Sequence, residues 1–268
     1  GGSYEGLTVN NGTSGIALYG GSYESINTND LTDSTPVSAL LAKGYAFATL
    51  NSVTHLPESI VDGSATNLNP GLENVAVLAH THTYTETNTK CACGAVLYAK
   101  VTSADGTSNK YFDSIEEGLL YADKAENKGC VFTLVARGLL KDKVTLSSGQ
   151  FTIATATTDN TYVIGPYEGE ITIDGADVIA EGDLAFRCNV NVKSGSLTLP
   201  EGSGTGFDSI IISGGTVTIS EGVNADNNAG ADNLSVDKDA TDVKLTIGGG
   251  TYGNVYFGQL KLKDVLAS

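Results

Sequence analysis

Short runs of alternating apolar and polar residues, broken by glycine-rich corners, dominate this chain. Leu7-Thr8-Val9 and Ile16-Ala17-Leu18 come first. Val144-Thr145-Leu146, Phe151-Thr152-Ile153, Tyr162-Val163-Ile164 and Ile171-Thr172-Ile173 follow, then Val190-Asn191-Val192 and Leu197-Thr198-Leu199. Ile210-Ile211-Ile212, Val217-Thr218-Ile219 and Leu245-Thr246-Ile247 complete the series. Period-two alternation of β-branched residues marks a strand with one buried face. Many runs are closely followed by Gly, Ser-Gly or Asp-Gly, which supply the corners that tight turns need. Strands this short do not hold a sheet alone, but stacked in register they bury one another. The pattern predicts a mainly β chain, a right-handed β-solenoid with rungs of about ten to twenty residues. Hairpins packed as a β-sandwich are the structural alternative, since they also space short strands about 8–12 residues apart.

One segment has a different period. In Asp113 to Lys128, Ser114 and Glu117 form a capping-box pattern, and Ile115, Leu119, Leu120 and Ala122 keep helical spacing. Gly129 gives a stop, and a strand-like Cys130 to Val135 follows. This predicts an amphipathic helix that caps the end of a solenoid and shields its open edge. A second, shorter helix is expected at Val37 to Lys43, closed by Gly44. The chain then divides into a β-rich repeat segment with a short helix (1–79), a His/Cys element with an α/β cap (80–136) and a solenoid-like segment ending in a partial repeat (137–268).

The repeats are explicit. Gly1-Gly2-Ser3-Tyr4-Glu5 recurs as Gly20-Gly21-Ser22-Tyr23-Glu24 and as Gly249-Gly250-Thr251-Tyr252-Gly253. Val37 to Lys43 (VSALLAK) is echoed by Leu262 to Ser268 (LKDVLAS). The C-terminal stretch thus re-enters a motif first met near residue 20. The chain reads as about one copy of a long tandem module, a piece of a longer protein.

Charge and composition narrow the function classes. The formal charge of -16 repels phosphate backbones, so nucleic acid is not expected as a partner. No apolar run reaches the ~18 residues of a membrane span, so no membrane insertion is expected in this segment. Four cysteines among 268 residues exclude a disulfide-stapled miniprotein. An acidic, Thr/Asn-rich, lysine-poor profile fits an extracellular bacterial surface protein, and good solubility alone would also produce it.

His80, His82, Cys91 and Cys93 are the one compact ligand-like constellation. Zinc takes four such ligands tetrahedrally, and with all four positions filled the ion would be structural. The alternatives are a metal-free knuckle and a disulfide involving Cys91 or Cys93. Cys130 and Cys188 sit in apolar strands, either as buried free thiols or as a disulfide pair. Asp226, Asn228, Asp232 and Asp237 offer oxygen ligands for calcium, although a solvated loop explains them as well. Asp174, Asp177 and Asp183 are the nearest approach to a glycosidase acid cluster, but they stand in or just after Asp-Gly turns, where turn chemistry puts aspartate anyway. His55 stands alone beside Leu56 and Pro57, in a structural or solvated role. No hydrolase elbow, phosphate loop or metalloprotease motif is present, so no enzymatic activity is expected. Tyrosine is the main aromatic residue, and it suits recognition of proteins or sugars. Tyr4, Tyr19 and Tyr23 near one end, with Tyr252, Tyr256 and Phe257 near the other, are the candidate contact residues; packing in the core or over glycine corners is the competing role.

The order of motifs carries a resemblance. Gly-Gly-Ser-Tyr-Glu-Ser-Ile (20–26) precedes Ser-Ala-Leu-Leu-Ala-Lys-Gly-Tyr-Ala-Phe (38–47), His-Thr-His-Thr-Tyr (80–84), Cys-Ala-Cys-Gly-Ala (91–95) and Tyr-Phe-Asp-Ser-Ile-Glu-Glu-Gly-Leu (111–119). This series resembles repeat-bearing cell-surface proteins of gut Clostridia, particularly Lachnospiraceae. This chain has Cys-x-Cys where those have Cys-x-x-Cys. The resemblance implies a non-catalytic, host-binding, adhesin-like module of a surface-attached protein. Superantigen-like members that bind immunoglobulin make immunoglobulin the candidate partner. A structural stalk, or a solenoid that binds or cleaves host glycan, are the alternatives.

Overall fold

A computed structural model describes residues 2–9, 15–27, 36–64, 71–85, 87–140, 142–156, 162–164, 169–182, 184–201, 206–221, 223–225, 234–249, 252–261 and 265. With 51% strand and 7% helix it is mainly β, and it contains a β-solenoid. The chain forms two compact units, Gly1–Val96 and Leu97–Ser268. The His/Cys element therefore belongs to the first unit and the capped solenoid to the second.

In the second unit the alternating triplets become successive rungs. Val144, Ile171, Val190, Ile210 and Leu234 lie side by side in parallel register and are all buried. Leu146, Ile173, Val192, Ile212 and Val236 form a second inward column of the same face. Phe151, Val178, Leu197, Val217 and Leu245 stack on another face. Strands spaced about ten residues apart in sequence thus belong to alternate faces. One full turn takes about twenty residues, placing Asn189 beside Ser209 and Ser196 beside Thr216. Parallel pairing throughout this stack excludes hairpins there, and with them the sandwich. The energetics favour the same outcome. Ordering a residue costs about 1–2 kcal/mol of backbone entropy, while a buried aliphatic side chain returns about 1.5–3 kcal/mol only when rungs above and below cover it.

The faces meet at a corner that only glycine fits. Gly195 and Gly215 have φ of 77° and 74°. A Cβ on Gly215 would lie 2.6 Å from the Gly195 carbonyl oxygen, and one on Gly195 would strike the carbonyl of Ala176 on the neighbouring rung. The side-chain requirement is thus a consequence of rung stacking as well as of left-handed backbone.

The helix caps the solenoid's first turns as its amphipathic pattern predicts. It spans Ile115–Ala122 and buries Ile115, Gly118, Leu119 and Ala122 in the solenoid core. Ser114 Oγ accepts from the Glu117 N–H at 3.2 Å, and its hydroxyl donates to Glu116 Oε2. The helix ends earlier than the Gly129 stop suggests, with a separate 3-10 turn at Ala125–Asn127. The cause is Asp123. Its buried carboxylate accepts from the backbone N–H groups of Ser147 (2.8 Å), Ser148 (3.1 Å) and Gly149 (2.8 Å). Helix and first corner are locked together by that one side chain. Ahead of the helix, the antiparallel strands Ala99–Thr102 and Asn109–Phe112 cover the side of Val131–Leu134 away from the stack.

The first unit is built differently. Leu72–Ala79 is its central strand, antiparallel to Gly21–Asn27 on one side and Tyr45–Leu50 on the other, with Pro57–Ile60 beyond. These strands of six to eight residues pair antiparallel, so the solenoid pattern is confined here to one rung. That rung is Ser3–Tyr4 and Leu7–Thr8, parallel to Gly21–Asn27. The segment expected as a second helix is a 3-10 turn at Val37–Leu40. Leu41 leaves it in extended conformation to bridge Leu18, and Gly44 closes the stretch with φ of 78°.

Replacing Asp123 with Ala removes the acceptor of three backbone N–H donors, of which that of Gly149 is buried. The Asp123→Ala variant is expected to lose about 2–4 kcal/mol of stability in urea denaturation. A loss under about 0.5 kcal/mol, typical of a surface substitution, would refute the locking role.

Candidate metal centre and exposed aromatic residues

His80 follows directly on the central strand of the first unit, and its N–H donates to the Gly44 carbonyl at 2.8 Å. From there the chain runs without strand pairing through His82 and Tyr84, whose rings meet edge-on at 6.0 Å. The two imidazole centroids lie 5.4 Å apart. Residues 91–94 form a tight turn, in which the Gly94 N–H donates to the Cys91 carbonyl at 2.9 Å and Gly94 has φ of 89°. The turn aims both thiols at the histidines. One ligand atom each from His80, His82 and Cys93 lie within 4.8 Å of one another. Cys91 Sγ is 3.1 Å from His80 Nε2. His80, His82 and Cys93 thus form a candidate metal-binding group, with Cys91 beside His80.

The two thiols are shifted in opposite directions. Burial acts to raise the Cys91 pKa. Hydrogen bonds from the N–H groups of Cys93 and Thr83, with the His80 and Cys93 side chains, outweigh it and bring the thiol down to about 6. Cys93 moves upward, first through burial. The two sulfurs share a small apolar pocket with Ala46, Ile60 and Tyr84.

The loop at 62–64 braces the cysteine turn, and sequence reasoning missed it. The Gly63 N–H donates to the Cys93 carbonyl at 2.7 Å, and Lys90 Nζ reaches Asp62 Oδ2 at 2.7 Å. The Lys90 ammonium and the Ser64 hydroxyl hold the Asp62 carboxyl down at about 2. A Cβ on Gly94 would press on Asp62 and Ser64. An Asp-Gly turn is the only local signal, and it lies 28 residues from Lys90.

All four cysteines are free thiols. No disulfide joins Cys130 to Cys188 or involves Cys91 or Cys93. Cys130 Sγ donates to the Ala122 carbonyl, and Cys188 is buried in the strand Leu184–Leu199. Burial, then the Asp208 and Glu170 charges, push Cys188 to about 12.

The six aromatic candidates divide by unit and by burial. Tyr4 is 50% and Tyr19 69% exposed. Tyr23 lies beneath Tyr4 with ring centroids 5.1 Å apart and is only 7% exposed. In the second unit Tyr256 is 54% exposed, while Tyr252 and Phe257 pack against the solenoid core. Tyr4, Tyr19 and Tyr256 are therefore the most exposed of the six, and Tyr23, Tyr252 and Phe257 are packed more deeply. Burial pushes Tyr252 up to about 12.

The remaining candidates fall to turn and ladder chemistry. Asp174 accepts from Ser194 Oγ at 2.8 Å, and Asp177 from Ser196 Oγ and Gln150 Nε2. Both belong to ladders between rungs. His55 sits exposed in a turn with φ of 54°, its N–H donating to the Asn51 carbonyl. Asp237 accepts from the Asp239 N–H in a local turn. Asp183, Asp226, Asn228 and Asp232 lie outside the described residues. One groove of about 490 Å³ is lined by Asp113, Glu116, Glu117 and Asp142 beside Tyr98 and Leu139. It sits at the helix start, where first-turn carboxylates are favoured by the helix dipole.

Comparison with protein-family models, with curated proteins and with solved structures returns no match.

Neutral Cys188 and Tyr252 stabilise the fold at physiological pH. Their folded pKa values of about 12 stand above unfolded values of about 8.5 and 10. That stability is intact below pH ~8.5 and drains away as pH rises toward 12. Cys188→Ala is expected to flatten the fall in Tm between pH 8.5 and 11. An unchanged slope would show that the thiol is not the titrating group.

Proposed function

We propose that this chain is a non-catalytic binding segment of an extracellular bacterial surface protein and that it engages a host protein, immunoglobulin being the candidate. The carrying observation is the outward surface of the solenoid. Thr152, Ile179, Thr198, Thr218 and Thr246 stand side by side in register, an unbroken column of β-branched side chains. Beside it run Gln150, Asp177, Ser196, Thr216 and Lys244. Such a face suits broad contact with a macromolecule better than capture of a small one. The choice of immunoglobulin rests on the motif series described above. Binding of serum or secretory immunoglobulin in a pulldown is expected, weakened at least about tenfold by Thr198→Arg with Thr218→Arg. No Fab binding at ~100 μM chain, in a range where a 1,000 Å² interface is measurable, would end the immunoglobulin reading.

The His/Cys cluster is assigned a structural zinc in this reading. The ion would join His80 and His82 to the 91–94 turn, and through Gly63 and Asp62 to the loop beyond. Elemental analysis is expected to give about one zinc per chain, lost in His82→Ala and Cys93→Ser, with a chelator-sensitive Tm in the unmodified protein. A zinc-free protein whose Tm ignores both zinc and chelator would overturn it.

The acid-lined groove beside Tyr98 favours one competing reading, action on a host glycan. Sugar release that is abolished by Glu116→Gln or Asp142→Asn would replace binding by catalysis.

A further inference from the structure

Two copies of the Gly-Gly-Ser-Tyr motif already pair with each other inside this chain. Ser3 lies beside Ser22, Tyr4 beside Tyr23, Leu7 beside Ile26 and Thr8 beside Asn27, all parallel. The Ser22 N–H donates to the Gly2 carbonyl at 2.9 Å, the two serine hydroxyls meet at 3.1 Å, and the tyrosine rings stack at 17°. Tyr23 is pinned by its own hydroxyl, which donates to the Gly20 carbonyl at 3.2 Å.

The third copy has the same local build. The Tyr252 hydroxyl donates to the Gly249 carbonyl at 2.8 Å, again three residues back. Two residues before each glycine pair the likeness continues: the Leu18 N–H donates to Leu40, and the Ile247 N–H to Val265, both at 2.9 Å. Val255–Tyr256 follow Tyr252 at the spacing at which Leu7–Thr8 follow Tyr4. This last strand pairs with Leu234–Val236 on one side. Among the described residues its other side has no strand neighbour, and neither does the outer side of Ser3–Tyr4.

The polarity of these two edges is complementary. Among the described residues Ser3–Tyr4 is the first strand of its stack and presents the edge that faces back along it. Among them Val255–Tyr256 is the last strand of the other stack and presents the edge that faces forward. We propose that the open Val255–Tyr256 edge of one copy receives the Ser3–Thr8 edge of a second copy, in the register the chain uses within itself. Tyr4 of the incoming copy lies over Tyr252, Leu7 beside Val255 and Thr8 beside Tyr256. The contact is heterologous, so it propagates into a ring or a chain of modules. Backbone hydrogen bonds supply the attraction and the stacked tyrosines supply the register. Whether copies meet as tandem modules of one polypeptide or as separate chains, the interface is the same. A net charge of -16 per copy opposes the contact, so salt is expected to strengthen it.

Cysteine cross-linking reads the register. Thr8→Cys chains mixed with Tyr256→Cys chains at ~200 μM in ~0.5 M salt, a concentration chosen to capture a contact of ~0.1 mM Kd, are expected to form a disulfide-linked heterodimer on mild oxidation. Thr8→Cys alone, or mixed with Leu139→Cys, is expected to give at least about tenfold less. Equal yields in all three mixtures, or none in the first, overturn the proposal. Sedimentation of the unmodified chain gives the second readout: mass rising with concentration and salt, and lost in Tyr256→Asp, whose exposed site leaves the fold intact. A monomer throughout that range, or association unchanged in Tyr256→Asp, overturns it independently of any immunoglobulin result.

Discussion

The in-register parallel hydrogen bonding of one rung to the next is the interaction on which the second unit depends. Neighbouring strands lie about 4.8 Å apart, so each inward side chain sits directly on its counterpart. Val144, Ile171, Val190, Ile210 and Leu234 are therefore not five core positions but one position used five times. The same spacing makes the corners intolerant. A single Cβ at Gly215 or Gly195 enters the backbone of the adjacent turn, and no local adjustment moves it out without parting the rungs. It also leaves two ends whose backbone groups the stack itself cannot satisfy. One end is closed by the helix, by Asp123 and by an antiparallel pair. The other is a two-residue strand.

This dependence explains what was legible in the sequence. Alternation of apolar and polar residues reports burial on one face, and nine of the alternating triplets named above are strands of the solenoid as read. Their grouping into faces was not legible. A triplet does not say whether its neighbour in space is the next triplet or the one after, and only the pairings separate the Val190 column from the Leu197 column. The helix start was written in Ser114 and Glu117, because capping is local. Its end was not. Asp123 looks helical in sequence, but its partners are 24 to 26 residues away. The antiparallel sheet of the first unit was hidden for a similar reason. Leu72–Ala79 shows one strand's worth of apolar residues, and nothing local says that it lies between Gly21–Asn27 and Tyr45–Leu50.

The candidate metal centre divides in the same way. Residue types and spacing are enough to place two imidazoles and two thiols together, since fourteen residues of chain can hardly separate them far. Their support is non-local. Gly63 holds the Cys93 carbonyl and Asp62 holds Lys90, from a loop about thirty residues upstream. The tyrosines show the opposite failure. Identical Gly-Gly-x-Tyr motifs give an exposed ring at Tyr4 and a buried one at Tyr23, because one copy covers the other. A repeat fixes what its residues can do, and the neighbour decides which of them do it.

A stacked architecture also separates its two kinds of surface. Faces carry side chains, and a column such as Thr152 to Thr246 can change residue by residue without touching the inward columns, at little cost to the fold. Edges carry backbone donors and acceptors, which hardly vary with sequence and accept any strand of matching register. Register at an edge must come from something else, and between the two copies paired within this chain the Gly-Gly-x-Tyr motif supplies it: Gly21 admits the Tyr4 ring, which stacks on Tyr23. Faces and ends are therefore independent surfaces: a substitution on an outward column leaves the backbone of the edge strands in place.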